Sequence, residues 1–297
     1  MSTSPLDSFP PLPPPGAAML LRALFQRPAP VSAADGQVGA SYRLDRIDLD
    51  HVRRYNAAFG FPGDAIPLTF LYLLAQRAQL ATMLARPIPF RIPGLIHVEN
   101  RLAMHGPVFL DAPLALTTTL QLPPAAPNGA LHCVLETRAF DGERLVFSCD
   151  STYLIQRGSR AGRAAAPQPD TPSGQALGGW TVASDAGRRY AALSGDWNPI
   201  HLWPWTARLM GMRTPIIHGA HTLATACSLL QAESGQEPVS VWCRFRQPVP
   251  LGANVALFAG LAEDRFTALC NGRVAIEGGS SATPAPSPAA VAHPAAE

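Results

Sequence analysis

Charged side chains are scarce, at 15% of 297 residues, and their formal sum is only +2. No run of five or more basic residues occurs. This excludes a nucleic-acid or anionic-membrane surface as the main business of the chain. The first residues lack a basic segment followed by an apolar stretch and a small-residue cleavage site. Secretion is therefore not expected, and a cytoplasmic location is. A lipid-exposed span is also missing: the uncharged stretch Thr214 to Ala232 carries His218, His221, Thr222, Thr225, Ser228 and Gln231, which suit a helix buried in protein. The cysteines are Cys133, Cys149, Cys227, Cys243 and Cys270, odd in number and without a C-x-x-C pair. Reduced thiols are the expectation.

What the chain does have is apolar residues, 47% of the total, and 31 prolines that cluster. Residues 1–16 and 281–297 are Pro/Ala/Ser-rich without apolar periodicity and read as tails. The flexible N-terminal segment is taken to extend to residue 39. Residues 157–178 read as a linker between halves of similar size, 40–156 and 179–280.

The two halves resemble each other. Pro107–Leu116 (PVFLDAPLAL) matches Pro248–Leu257 (PVPLGANVAL) at Pro, Val, Leu, Ala, Ala and Leu. Upstream, the segment opening at Tyr55 pairs with the one opening at Tyr190, and Pro67 pairs with Pro215. Each half predicts a short helix and then a long apolar one, 49–59 and 67–85 in the first half, 184–194 and 217–232 in the second. Strands follow near 97–104, 113–121, 131–140 and 144–156, then near 239–246, 253–260, 264–270 and 272–278. A helix apolar nearly all round, as 217–232 is, needs more cover than one flat face gives. An α+β fold with a sheet wrapped around central helices supplies it.

The second half carries an insertion. Tyr190 to Pro215 spans 25 positions, against 12 from Tyr55 to Pro67. The added residues include Ser194-Gly-Asp-Trp-Asn-Pro-Ile-His201. Gly195 ends a helix and Pro199 prevents its continuation, so Asp196 and His201 sit on a constrained loop. Such a pair can hold a water, one group accepting a proton as the other donates. Asn198 reads as a loop brace. Next comes His218-Gly219 at a helix start, where N–H groups lack partners. Gly219 would let a substrate oxygen approach its N–H closely. His218 and His221 suggest a metal pair, but no further ligand stands at a plausible spacing, and His218 is expected to be buried and hydrogen-bonded.

The run Tyr190–His201, followed by Ile216-Ile-His-Gly219, resembles the signature of MaoC-like (R)-specific enoyl-CoA hydratases. Phe90-Arg-Ile-Pro-Gly-Leu-Ile-His-Val-Glu-Asn100 is similar to the degenerate half of two-repeat members. Together the resemblance spans roughly 40–280. It implies an antiparallel double hotdog, no metal, no redox cofactor, and a substrate linked to CoA or acyl carrier protein. It places Asp196 and His201 on the water and the Gly219 N–H on the thioester oxygen. Many single-repeat members carry an auxiliary serine where this chain has Cys227.

Arg244 and Arg246 alternate on a strand and are candidates for carrier phosphates, or else solvated edge residues. Trp203 and Trp205 either line an acyl tunnel or cap the fold. The first half, lacking the loop, is expected to supply an acyl cavity. The assembly implied is a monomeric double hotdog or a homodimer. Two other readings stay open, a hotdog thioesterase and a non-catalytic acyl-thioester-binding subunit.

Overall fold

Residues 5–29, 38–156, 174–260 and 264–283 are described by the computed structural model. Its centre is helix α3 (Leu68–Ala85), with thirteen of 18 residues buried. The sheet that encloses it is built from β1 (Val38–Leu44), β2 (Ile96–Met104), β3 (Leu114–Gln121), β4 (Leu131–Asp141) and β5 (Arg144–Gln156). The second half repeats this with α6 (Gly219–Ser234) and strands β6 (Gln175–Thr181), β7 (Ser240–Phe245), β8 (Asn254–Ala259), β9 (Arg265–Cys270) and β10 (Arg273–Ser281).

All ten strands form one antiparallel sheet in the order β1-β3-β4-β5-β2-β7-β10-β9-β8-β6. The order is the same read from either end once halves are exchanged, as the internal repeat requires. The halves join where β2 pairs with β7, from Glu99 opposite Arg244 to Ala103 opposite Ser240. The matched segments of the repeat lead into β3 and β8, which occupy equivalent places.

The short helices α2 (Leu49–Phe59) and α4 (Ala186–Ser194) both end on a left-handed glycine, Gly60 (φ 82°) and Gly195 (φ 79°), as expected of a glycine cap. Tyr55 of α2 and Tyr190 of α4 are buried, 0% and 2% exposed, and Phe59 lies between them. All five cysteines are free and buried. Among the described residues no helix is long and apolar enough to cross a membrane.

Three expectations need correction. The N-terminal segment is not free throughout 1–39. Pro10 and Leu12 exchange backbone hydrogen bonds with Arg43 on β1, and α1 (Ala17–Phe25) buries Met19 and Ala23. An edge strand offers open N–H and C=O groups, and an extended Pro-rich chain can take them through its non-proline N–H. Second, 157–178 is not linker to its end: β6 begins at Gln175, while 157–173 lies outside the described residues. At the C-terminal tail, β10 runs through Ser281 and 284–297 again lies outside. Third, Pro67 corresponds to His218 rather than Pro215. Both residues cap their long helices with similar backbone angles, φ −64° and ψ 147° against φ −59° and ψ 137°. Pro215–Ile217 is drawn out beside Val249 and Pro250, which delays the helix.

Candidate active site

The connection between short and long helix is direct in the first half and extended in the second, from Gly195 to His218. That extension is folded on itself by short-range polar contacts. Ser194 Oγ accepts from the Asp196 N–H (3.1 Å), and Asp196 Oδ1 accepts from the Asn198 N–H (3.1 Å). Asn198 Oδ1 accepts from the Ile200 N–H (3.3 Å) and opens a single turn of 3-10 helix, Pro199–His201. Helix α5 (Pro204–Leu209) follows, and Thr206 Oγ1 donates back to the Pro199 carbonyl (2.6 Å). A Cβ at Gly187 on α4 would stand 1.8 Å from the His201 carbonyl oxygen. Only glycine lets the helix lie that close.

His201 is 8% exposed and His218 3%. Their rings stack with centroids 3.6 Å apart. His201 Nδ1 is 2.8 Å from the Ile216 carbonyl oxygen. A carbonyl can only accept, so Nδ1 carries the hydrogen and Nε2 keeps its lone pair. By the same logic His218 Nε2–H donates to the backbone carbonyl of Asp196 (2.9 Å), leaving Nδ1 without a partner among the described residues. Side-chain donor atoms of Asp196, His201 and His218 all lie within 4.8 Å of one another. Such spacing could serve a metal. Here Asp196 Oδ1 is held by the Asn198 N–H and Oδ2 by Gln76 Nε2 (3.0 Å), a pattern that fixes the orientation of the carboxylate.

Burial dominates the titration of both rings. It lowers His201, against the opposing pull of the Asp196 charge and the Ile216 carbonyl. It lowers His218 much further, assisted by His201. Both are neutral imidazoles at pH 7. Burial likewise pushes His97 down to about 3 and His221 down to about 4. In the unfolded chain these rings protonate near 6.5, so below that pH the unfolded state binds more protons. Stability is therefore fully present above about pH 6.5 and falls as pH drops toward 4, by about 1.4 kcal/mol per pH unit for each ring still neutral. A thermal melt series should be flat from pH 8 to 7 and descend below 6.5. A flat series down to pH 5 would refute this.

Gly219 is the first residue of α6, and among the described residues its N–H meets no acceptor. The other candidates are dispersed. Cys227 is buried, its thiol pushed up to about 12 by burial, and no hydrogen bond joins it to Asp196 or His201. Arg244 pairs with Glu99 (3.1 Å) and Arg246 with Glu277 (3.7 Å). Both line a groove of about 820 Å³ on the outer face of the β2–β7 join, together with Phe245 and Arg273. Trp203 and Trp205 are 39% and 62% exposed and stack on each other. Both indoles thus lie at the surface of the described residues. Gln76 was not foreseen. Its helix also carries Thr69, Arg77, Gln79 and Thr82, so its amide gives no signal of its own in the sequence.

Comparison with known proteins bears on the family and the fold. A family model described as MaoC like domain matches residues 168–267. Over 82% of this chain and 89% of the relative, the sequence is 30% identical to 3-hydroxyacyl-thioester dehydratase X of Mycobacterium tuberculosis. Peroxisomal multifunctional enzyme type 2 of Mus musculus is 26% identical over 71% of this chain and 30% of its own length. Among solved structures, HtdX of M. tuberculosis superposes with TM-score 0.66 at 24% identity, covering 81% of this chain and 98% of that one. A MaoC-like dehydratase from Phytophthora capsici gives 0.62 at 19%, covering 82% and 95%. These likenesses carry the fold, a double hotdog. An acyl-ACP thioesterase from Bacteroides thetaiotaomicron shares it at TM-score 0.53 and 10% identity, covering 84% and 99%.

Proposed function

The chain belongs to the MaoC-like dehydratase family, and from that premise we propose that it adds water to trans-2-enoyl thioesters and removes it from (3R)-hydroxyacyl thioesters. One observation supports this reading above all. His201 presents an unprotonated Nε2 beside a carboxylate whose two oxygens are already oriented. The pair sits next to the open N–H at the start of α6.

In hydration, a water held between Asp196 and His201 forms the new bond from its oxygen to C3. His201 Nε2 takes the proton that this oxygen gives up. The C2–C3 π electrons move to C2 and the thioester, whose oxygen becomes enolate-like and is received by the Gly219 N–H. The proton then returns from the imidazolium to C2 on the face where the water stood. Dehydration runs the same steps backwards. Asp196 accepts a hydrogen bond from the water's second O–H, which stays on the new 3-hydroxyl, and fixes its approach.

The groove carrying Arg244, Arg246 and Arg273 suits the phosphate-bearing carrier, CoA or acyl carrier protein. Phe245 supports that direction, since it lines the groove and also packs where a Gly219 side chain would lie. The test is absorbance at the enoyl-thioester band with crotonyl-, octenoyl- and longer-chain CoA. The band should fall without release of free thiol. Thiol release with the enoyl bond intact would mean a thioesterase. Neither change would favour a binding subunit.

A further inference from the structure

Gln76 lies on α3, in the half that has no Asp/His loop, yet its Nε2 is 3.0 Å from Asp196 Oδ2. It stands nine residues past Pro67, the N-cap of α3. Cys227 stands nine residues past His218, the N-cap of α6. The two therefore occupy equivalent places on the two central helices. Cys227 is buried in the apolar core that the two halves share, whereas Gln76 reaches across to the loop of the other half.

From this we propose that Gln76 is a positioning residue for the hydration chemistry. It fixes the second oxygen of Asp196 from the opposite repeat, so that the loop's carboxylate is aimed by both halves. The inference rests on the hydratase reading above. Within the loop only Oδ1 is held, by the Asn198 N–H, so without Gln76 the carboxylate has one tether and can turn about Cβ–Cγ. A water shared with His201 Nε2 would then lose its fixed geometry, and misplacement of this kind is expensive in rate.

The neighbouring side chains on α3 do not compete for this role. Tyr72, one turn earlier, contacts His97 and feels the Asp196 charge only through space. Gln79, one turn later, is committed to Ser151 (3.1 Å) on β5. The first half thus contributes a donor to the site as well as a wall.

The isosteric change Gln76→Glu tests this, because it replaces the donor by a group that donates only when protonated. The charged and titratable groups around that point are Asp196, His201 and His218 from the loop and the start of α6, and Tyr190 from α4. Tyr72 and Arg77 on α3, Tyr153 and Cys149 on β5, and His97 on β2, whose ring stacks on both tyrosines, are the others among the described residues. Burial raises all three tyrosines far above neutrality, and it lowers His201 and His218 below 6.5.

At pH 8 we expect kcat of Gln76→Glu to fall roughly 10- to 100-fold, the worth of one charge-assisted hydrogen bond, with KM within about twofold. The loss should shrink as pH falls and the introduced carboxyl takes up a proton. Gln76→Leu should lose about tenfold in kcat with no such recovery. Normal kcat in both variants at pH 8 would overturn the proposal.

A second readout needs no turnover. The melting temperature of Gln76→Glu should drop, relative to the parent, between pH 5 and pH 8, as two carboxylates come to face each other. That relative drop should vanish in Gln76→Glu/Asp196→Asn. Its persistence there, or its absence from the single variant, would mean that Gln76 and Asp196 are not coupled. A parent chain inert toward enoyl thioesters would refute the hydratase reading instead, and the melting series would still decide the contact.

Discussion

Asp196→Ala and His201→Ala should each lower kcat by roughly 10²–10⁴-fold, the usual worth of a positioned acid or base. The structure sharpens what each change removes. Without the Asp196 carboxylate the water keeps one anchor, His201 Nε2, and loses the charge that steadies an imidazolium. Without the His201 ring the Ile216 carbonyl loses its donor and His218 loses its stacking partner. The alanine variant at 201 should therefore melt lower than that at 196, by an amount typical of a small buried truncation. Both should fold, because neither side chain belongs to the apolar core around α3. The two groups share one water, so the double variant should lose far less than the product of the single losses. Losses that multiply fully would mean that Asp196 and His201 act on different steps.

The helices and inner strands were legible because their burial repeats with a local period. The long helices lie within two residues of the ranges expected, and Gly60 and Gly195 mark the ends of the short ones. The edges were not legible. None of the seven residues of β6 is buried, so it has no buried alternation to show, and its two adjacent glycines read as loop. The strap from Pro10 to Leu12 is ordered by hydrogen bonds to β1 that no local pattern announces.

The same distinction runs through the site. Asp196, Asn198, His201 and His218 were readable because the loop folds on itself within about two dozen residues, and glycine and proline fix its ends. Gln76 contacts Asp196 from 120 positions away, and Glu99 meets Arg244 from 145. Such contacts are set by the packing of one repeat on the other. The register of the repeat was misjudged at Pro215 for a related reason: Ile217 pairs with Val249 before the helix begins, and this delays the helix start to Gly219, two residues past the expected 217.

Gly219→Val should cost about 10²–10³ in rate, the worth of one oxyanion donor, while the fold largely survives. The sequence argued that a side chain here would stand in the path of the substrate oxygen. The structure adds a nearer obstacle. A Cβ at 219 would come within 2.7 Å of two ring carbons of Phe245, so the ring must move first. Phe245 is half-buried at the end of β7, its ring packed on the core and 4.8 Å from the His97 ring, so those neighbours must yield with it. Valine itself disfavours helix by well under about 1 kcal/mol relative to alanine. Two effects are then possible, a displaced ring and a blocked N–H, and the double variant Gly219→Ala/Phe245→Leu separates them. If ring displacement alone harms Gly219→Ala, trimming Phe245 should restore its rate. If the oxygen binds at the 219 N–H, the methyl still crowds it and the rate should stay low. Gly211→Val is the control: its backbone is left-handed (φ 81°) with nothing within 4 Å of a Cβ. There the expected damage is conformational strain of about 1 kcal/mol or more, read as a lower melting temperature with turnover unchanged. A well-folded Gly219→Val chain turning over at the parent rate would place the oxyanion donor somewhere other than the start of α6.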